Sequence, residues 1–220
     1  YIARDRLSRR DAALAARLVY GVVQNRLLLD FDLAQVVSSP LAKLQPVVLD
    51  ILRLGAYQIL FLDKIPVSAA VNEAGEQTKT YANKRAAGLV NGSLRTLARR
   101  RDELVQPHDL ATKYSHPQPL VDCLRASMDD ETLEAFLAAD NDIPKTALQV
   151  NPLKAAPEQV AAVLDEAGVA YEPHPWLHGC FLVSGTGNLE ALPLFQSGAV
   201  CVQDAAAKLA VLASGAAPGM

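Results

Sequence analysis

The stretch Asn83–Leu104, NKRAAGLVNGSLRTLARRRDEL, decides how the first half of this 220-residue chain is read. With about 100° of rotation per residue, Ala86, Val90, Ser93, Leu94 and Leu97 fall on one side of a helix, and Arg85, Gly88, Gly92, Arg95 and Arg99 on the other. The division predicts a helix with one face in a core and a basic, glycine-bearing face turned away from it. Working back towards the amino terminus, the periodicity predicts further helices over Val67–Tyr81, Pro46–Leu62 and Leu27–Val37. Pro46–Leu62 is the most apolar (Val47, Val48, Ile51, Leu52, Leu54, Ile59, Leu60) and is expected at the centre. Ser8-Arg9-Arg10-Asp11 has the form of a capping box and opens a first helix running to about Asn25, with Leu14, Leu18 and Gly21/Val22 as its apolar stripe. Residues 1–106 are thus expected to form an all-α bundle.

Residues 107–145 read as a helical connector with two short helices, one entered through Pro117 and Pro119, the other opened by Asp129-Asp130-Glu131, whose charges suit a helix start. From about residue 146 the pattern changes. Ala147–Asn151, Val169–Glu172, Cys180–Ser184 and Ala199–Gln203 read as strands, Pro157–Ala167 as a helix with proline at its start, and Asn188–Phe195 as a short helical piece. The order β-α-β-β-α-β predicts a small α+β, ferredoxin-like segment over residues 146–220, closed by a helix over Asp204–Ala213.

The composition, half apolar and 20% charged, excludes a disordered chain, and no uncharged stretch has the length of a membrane span. The net charge of −3 hides an asymmetry. Residues 1–106 hold 16 Lys+Arg against 10 Asp+Glu, a net of +6, whereas residues 107–220 hold 5 against 14, a net of −9. A basic first half calls for an anionic partner such as nucleic acid; the acidic second half argues that this partner does not wrap the whole molecule. The three cysteines, Cys123, Cys180 and Cys201, are an odd number without CxxC spacing, which suggests neither a disulfide framework nor a zinc site and fits a reducing cytoplasm. Their neighbours offer no cation to activate a thiolate, so they are expected to be buried and structural. His174 and His178 are separated by Pro175, which spoils the helical pair a metal needs. Gly185-Thr186-Gly187 has Glu190 where a dinucleotide fingerprint has its third glycine, and is read as a tight turn.

The basic face of the Asn83–Leu104 helix has two readings. In the first, the glycines let a phosphate backbone approach and the arginines grip phosphates in bidentate fashion. In the second, Gly88 and Gly92 admit another helix and the arginines are merely solvated. Arg4, Arg6, Arg9 and Arg10 form a second basic cluster, for which a solvated helix start is the plain alternative. The +6 of the first half favours the first reading.

Lys64-Ile65-Pro66-Val67-Ser68-Ala69-Ala70-Val71-Asn72-Glu73-Ala74, followed by Lys84-Arg85-Ala86-Ala87-Gly88-Leu89-Val90-Asn91-Gly92-Ser93-Leu94-Arg95, resembles the signature of NusB-like helical domains, in the form fused to bacterial rRNA cytosine-5 methyltransferases of the RsmB/Sun (Fmu) type. Tyr114-Ser115-His116-Pro117, Gln149-Val150-Asn151-Pro152-Leu153-Lys154 and Val202-Gln203-Asp204 are similar to later motifs of the same enzymes, so the resemblance covers essentially the whole chain. Two positions depart from it. Gln149 stands where the family usually has Arg, which weakens an RNA role for that strand, and Gly75 replaces a larger apolar residue, which is expected to loosen a helix contact.

The resemblance implies an amino-terminal fragment: a NusB-like bundle and a pre-catalytic segment, leading into a domain that binds S-adenosylmethionine. Ala216-Ala217-Pro218-Gly219 is read as the turn before that domain, so no cofactor is assigned to this chain. The family's nucleophile comes from Pro-Cys and Thr-Cys motifs that none of the three cysteines matches; no catalytic residue and no metal ligand carries over, and the chain alone is expected to be inactive. The residues assigned to RNA are Arg9, Arg10, Lys84, Arg85, Arg95 and Arg99, with small-subunit rRNA and the protein's own carboxy-terminal catalytic domain as partners. A free-standing antitermination module like NusB, and a purely structural docking domain, are the rival readings.

Overall fold

The computed structural model describes residues 7–184, 189 and 192–215, apart from the side chain of Arg9. Arg4, Arg6, the Gly185-Thr186-Gly187 turn and the Ala216–Gly219 turn lie outside the described residues. Two compact units emerge, residues 1–142 and 143–220. The connector helices therefore pack with the helical unit.

The first unit opens with α1 (Arg9–Gln24), whose cap Ser8 accepts the backbone N–H of Asp11 at 3.1 Å, and continues with α2 (Arg26–Ala34). α3 (Pro46–Phe61) starts on a proline, which lacks the N–H that the first helical turn leaves unbonded. α4 (Val67–Tyr81) follows, then α5 (Lys84–Arg99), capped by Asn83, whose side chain accepts from Ala86 N at 2.9 Å. α3 is central, as its composition requires: it packs against α1, α2, α4 and α5 and buries Val48, Ile51, Leu52, Ala56, Tyr57 and Ile59. Leu29, Leu33, Leu52, Leu94 and Leu97 in this core are fully buried, each contributing about 2–3 kcal/mol of burial free energy. The expected stripe of α1 holds at Leu18, Gly21 and Val22, while Leu14 is exposed. α5 stops at Arg99; a 3-10 turn over Arg101–Glu103 then carries Leu104 back into the core, which explains why apolar periodicity alone runs to 104.

Three short helices complete the unit, where two were expected: α6 (Leu110–Lys113), α7 (Gln118–Arg125) and α8 (Asp130–Asp140). Ala111, Val121, Leu133 and Leu137 form their own small cluster. The Tyr114–Pro117 motif works here as a latch. Ser115, at φ 58°, accepts the backbone N–H of Leu27 at 2.9 Å, supplying α2 with the cap that Asn25 does not provide. His116 is buried, its Nδ1 2.7 Å from the Tyr114 carbonyl and its Nε2 2.9 Å from the Asp140 carboxyl group.

Gly75 corrects one expectation. A Cβ there would lie 2.6 Å from Asn91 Oδ1, so the missing side chain is replaced by Asn91 and the α4–α5 contact is closed rather than loosened.

The second unit contains β1 (Thr146–Val150), α9 (Pro157–Glu166), β2 (Ala170–Pro173), β3 (Cys180–Ser184), α10 (Pro193–Gln196), β4 (Val200–Val202) and α11 (Ala205–Ala213). The sheet order is β2-β3-β1-β4 with every pair antiparallel, the ferredoxin-like arrangement expected from the element order. Register pairs Leu148 with Phe181 and Val202 on the face that packs on Val160, Leu164 and Leu194, and Gln149 with Cys180 and Cys201 on the other. Only Cys180 is buried; Cys123 and Cys201 are exposed, which overturns the expectation that all three are core residues. Their sequence neighbours tell of thiol activation, not of depth. No helix among the described residues is long and apolar enough to cross a membrane.

Candidate nucleic-acid interface

α5 is the most strongly two-sided of the long helices, and its sides divide as the sequence predicts. Val90, Ser93, Leu94 and Leu97 are buried as expected, while Ala86 is half-buried and its neighbour Ala87 is buried in its place; Lys84, Arg85, Gly88, Gly92, Arg95 and Arg99 are exposed. At about 100° per residue the six exposed positions fall within roughly 100° of one another, and from Lys84 to Arg99 they extend along roughly 22 Å of helix.

The glycines bear on the two readings of this face. A Cβ built on Gly88 or on Gly92 meets nothing within 4 Å, so among the described residues no helix packs on either glycine. Gly21 and Gly55 show the contrast: a Cβ would come within 2.0 Å of Tyr57 at the first and 2.5 Å of Leu94 at the second. Gly88 and Gly92 instead floor an open trough of about 260 Å³, with Thr96 on the same helix and Val36 and Ser38, from the segment after α2, opposite. Glycine in a helix interior costs about 0.5–1 kcal/mol relative to alanine, and nothing in the packing repays that cost here.

The cations beside the trough are unpaired among the described residues. Arg53, by contrast, clamps Asp30 through two 2.7 Å bonds and reaches Asp50 at 3.0 Å, which holds its guanidinium still more firmly charged. Arg100 and Arg101, just past the helix, donate to the backbone carbonyls of Gln35 and Leu60. No ion pair among the described residues involves Lys84, Arg85, Arg95 or Arg99. A row of basic side chains without an ion-pair partner among the described residues, on the helix face that carries the two glycines, has the charge to accept an extended anion such as a phosphodiester backbone.

Arg10 lies elsewhere. It lines a separate recess of about 340 Å³ with Arg17 of α1 and Lys64 of the α3–α4 loop, in the company of Asp11 and Asp63. The side chain of Arg9 is outside the described residues. Sequence reading misses Arg17 and Lys64, although Arg10 and Arg17 stand seven residues apart and so share a helix face; it also misses Val36 and Ser38, for which no local signal exists. No cluster of three or more metal-ligating side chains occurs among the described residues.

Residues 1–99 match the NusB family, and residues 116–190 match the Methyltr_RsmF/B-like, ferredoxin-like domain. The second match starts at His116 and so takes in α7 and α8, which pack with the helical unit. The chain is 33% identical over 211 residues to the "Probable ribosomal RNA small subunit methyltransferase B" of Bacillus subtilis (strain 168), covering 93% of this chain and 46% of the relative. It is 31% identical over 205 residues to the "Ribosomal RNA small subunit methyltransferase B" of Escherichia coli O1:K1 / APEC, covering 93% and 47%. The chain thus spans about half the length of the curated relatives it matches. The crystal structure of PH0851 superposes with a TM-score of 0.68 at 20% identity, over 92% of this chain and 46% of that one, a likeness of fold alone. In its helical part the chain is thus similar to the NusB family, and after it to the ferredoxin-like domain of the RsmF/B-like methyltransferases.

Proposed function

We propose that this chain is the RNA-binding, substrate-positioning amino-terminal region of a small-subunit rRNA (cytosine-5) methyltransferase that works in the cytoplasm with S-adenosylmethionine. The observation that carries the reading is the α5 face, where Gly88 and Gly92 stand over open space between arginines that have no internal partner among the described residues. The names of the relatives supply the class of RNA. Lys84, Arg85, Arg95 and Arg99 track the backbone of the rRNA, while Arg9 and Arg10, with Arg17 and Lys64, form a second basic patch.

S-adenosylmethionine belongs, in this reading, to a carboxy-terminal catalytic domain of the parent protein. The described residues do not assemble a cradle for it: the Asp204 carboxylate at the head of α11 is engaged by Ala206 N at 2.9 Å, and no described strand with a terminal acid precedes a glycine-rich loop.

The exposure of Leu209, Val211 and Leu212 on α11 favours a second reading, in which the chain only docks on a catalytic domain and touches no RNA. A fluorescence-anisotropy titration with an rRNA hairpin at several salt concentrations separates the two. Neutralising three or four phosphates gives a log–log salt slope of about −2 to −3 for single-stranded RNA, and each arginine removed takes about 0.7 from its magnitude. The Arg85→Ala, Arg95→Ala, Arg99→Ala triple variant should lose about 2 from the slope with little change in sequence preference. Unchanged affinity and slope, with circular dichroism intact, would leave only the docking reading.

A further inference from the structure

The β2–β3 hairpin holds a second site, in the acidic half of the molecule. Trp176, the sole tryptophan, is 77% exposed, although an indole normally buries most of its surface. Its ring meets His174 edge-on, with centroids 5.5 Å apart at 80°. His174 is itself fixed: its backbone N–H donates to the Cys180 carbonyl at 2.8 Å, and its Nδ1 accepts from the backbone N–H groups of Trp176 and Leu177, each at 3.3 Å. Beside this pair opens a cavity of about 390 Å³ with an apolar floor of Tyr171, Leu177 and Phe181, the two rings of which are packed edge-to-face at 5.4 Å. Its rim carries His174, His178 and Glu158.

We propose that this cavity, with Trp176 set against its lining residue His174, binds one unpaired RNA base bearing an exocyclic amino group. The inference rests on the reading of the partner as RNA, and adds a base contact to the phosphate contacts of α5. An apolar, aromatic-lined cavity and an exposed indole suit a planar ring, as in single-strand binding sites where bases stack on aromatic side chains. The volume lies at the lower end of the range for small-molecule sites, enough for one nucleobase and its sugar. Among the described residues that line it, Glu158 alone is formally charged, and it repels phosphate. As an acceptor-only carboxylate it takes the amino N–H of cytosine, adenine or guanine, an edge that uracil does not present. The histidines add a polar contact on either side, and the net −9 of residues 107–220 leaves phosphate binding to the basic half.

Trp176 is its own reporter. Five-residue oligocytidylate should quench its emission saturably at low salt, oligouridylate should do so more weakly, and an abasic ribose-phosphate chain of the same length should leave it unchanged. Trp176→Ala should weaken binding of labelled oligocytidylate by about ten-fold, read by anisotropy, and Glu158→Ala should erode the preference for cytidine over uridine. Trp176 supports no core packing, so the variant is expected to keep its circular dichroism spectrum. Oligocytidylate that binds by anisotropy without altering the emission would overturn the base site and leave the arginine reading standing, as would equal quenching by the abasic chain. No saturable response up to millimolar oligonucleotide would overturn it too. Quenching that survives in the triple-arginine variant at undiminished affinity would support this site and count against the α5 face.

Discussion

Asp32 is 7% exposed on the core side of α2, and burial pushes its carboxyl up to about 6. The native state therefore prefers the neutral acid. That preference contributes stability at pH below about 4 and is lost as pH rises through 6, so at neutral pH the ionised group is a liability of up to about 3 kcal/mol. Asp32→Asn should raise the unfolding free energy by about 1–3 kcal/mol at pH 8 and by much less at pH 4.5; denaturant titrations at the two pH values check this, and an equal effect at both would contradict it. Single residues of this kind are the least legible in the sequence. Local capping is readable, as at Ser8, because donor and acceptor are three residues apart. The Ser115 bond to Leu27 N, whose partners are 88 positions apart, and the burial of His116 against Asp140 are not, because only the tertiary fold brings those groups together.

At the scale of elements, hydrophobic periodicity carries most of the fold. The bounds expected for α4 and β3 coincide with those observed, and those of α3 and α9 differ by one residue. The periodicity overruns α2 by three residues because the chain beyond Ala34 keeps Val37 in the core without remaining helical. α6 escapes it since a single turn, capped by Asp109 on Thr112 N, offers no period. Helix approach is legible only in part. Gly21 stands out in the sequence merely as a member of a stripe, whereas the structure shows α1 lying on α3 through it, against a Tyr57 ring that is 7% exposed and stacked on Phe61 at 5.2 Å. With no free space for the ring to move into, Gly21→Ala should cost about 1–3 kcal/mol of stability despite the better helix propensity of alanine. Chemical denaturation measures it; a stabilised variant would mean that α1 does not sit on α3 at this point.

For the molecule as a whole, the contrast of +6 in residues 1–106 with −9 in residues 107–220 is readable from the charge count alone, but it does not follow the two compact units: residues 1–142 hold 18 Lys+Arg against 18 Asp+Glu, because the acidic α6–α8 segment packs with the basic bundle, and residues 143–220 hold 3 against 6. The candidate interface is half legible. The sequence places the arginines and glycines of α5 on one face but leaves open what covers the glycines, because a helical wheel shows direction and not occupancy. The Trp176 cavity has no sequence signal, since Pro173–Gly179 reads as a connecting stretch until the hairpin folds its histidines towards α9. The central claim is that Gly88 and Gly92 serve a ligand and not the fold. One double variant, Gly88→Ala with Gly92→Ala, tests it when unfolding free energy and rRNA-hairpin affinity are measured on the same sample. The account predicts opposite signs: stability rises by about 1–2 kcal/mol, since both methyl groups enter open space on a helix, while RNA affinity falls by about ten-fold because the trough is filled. Raised stability with unchanged affinity would contradict it.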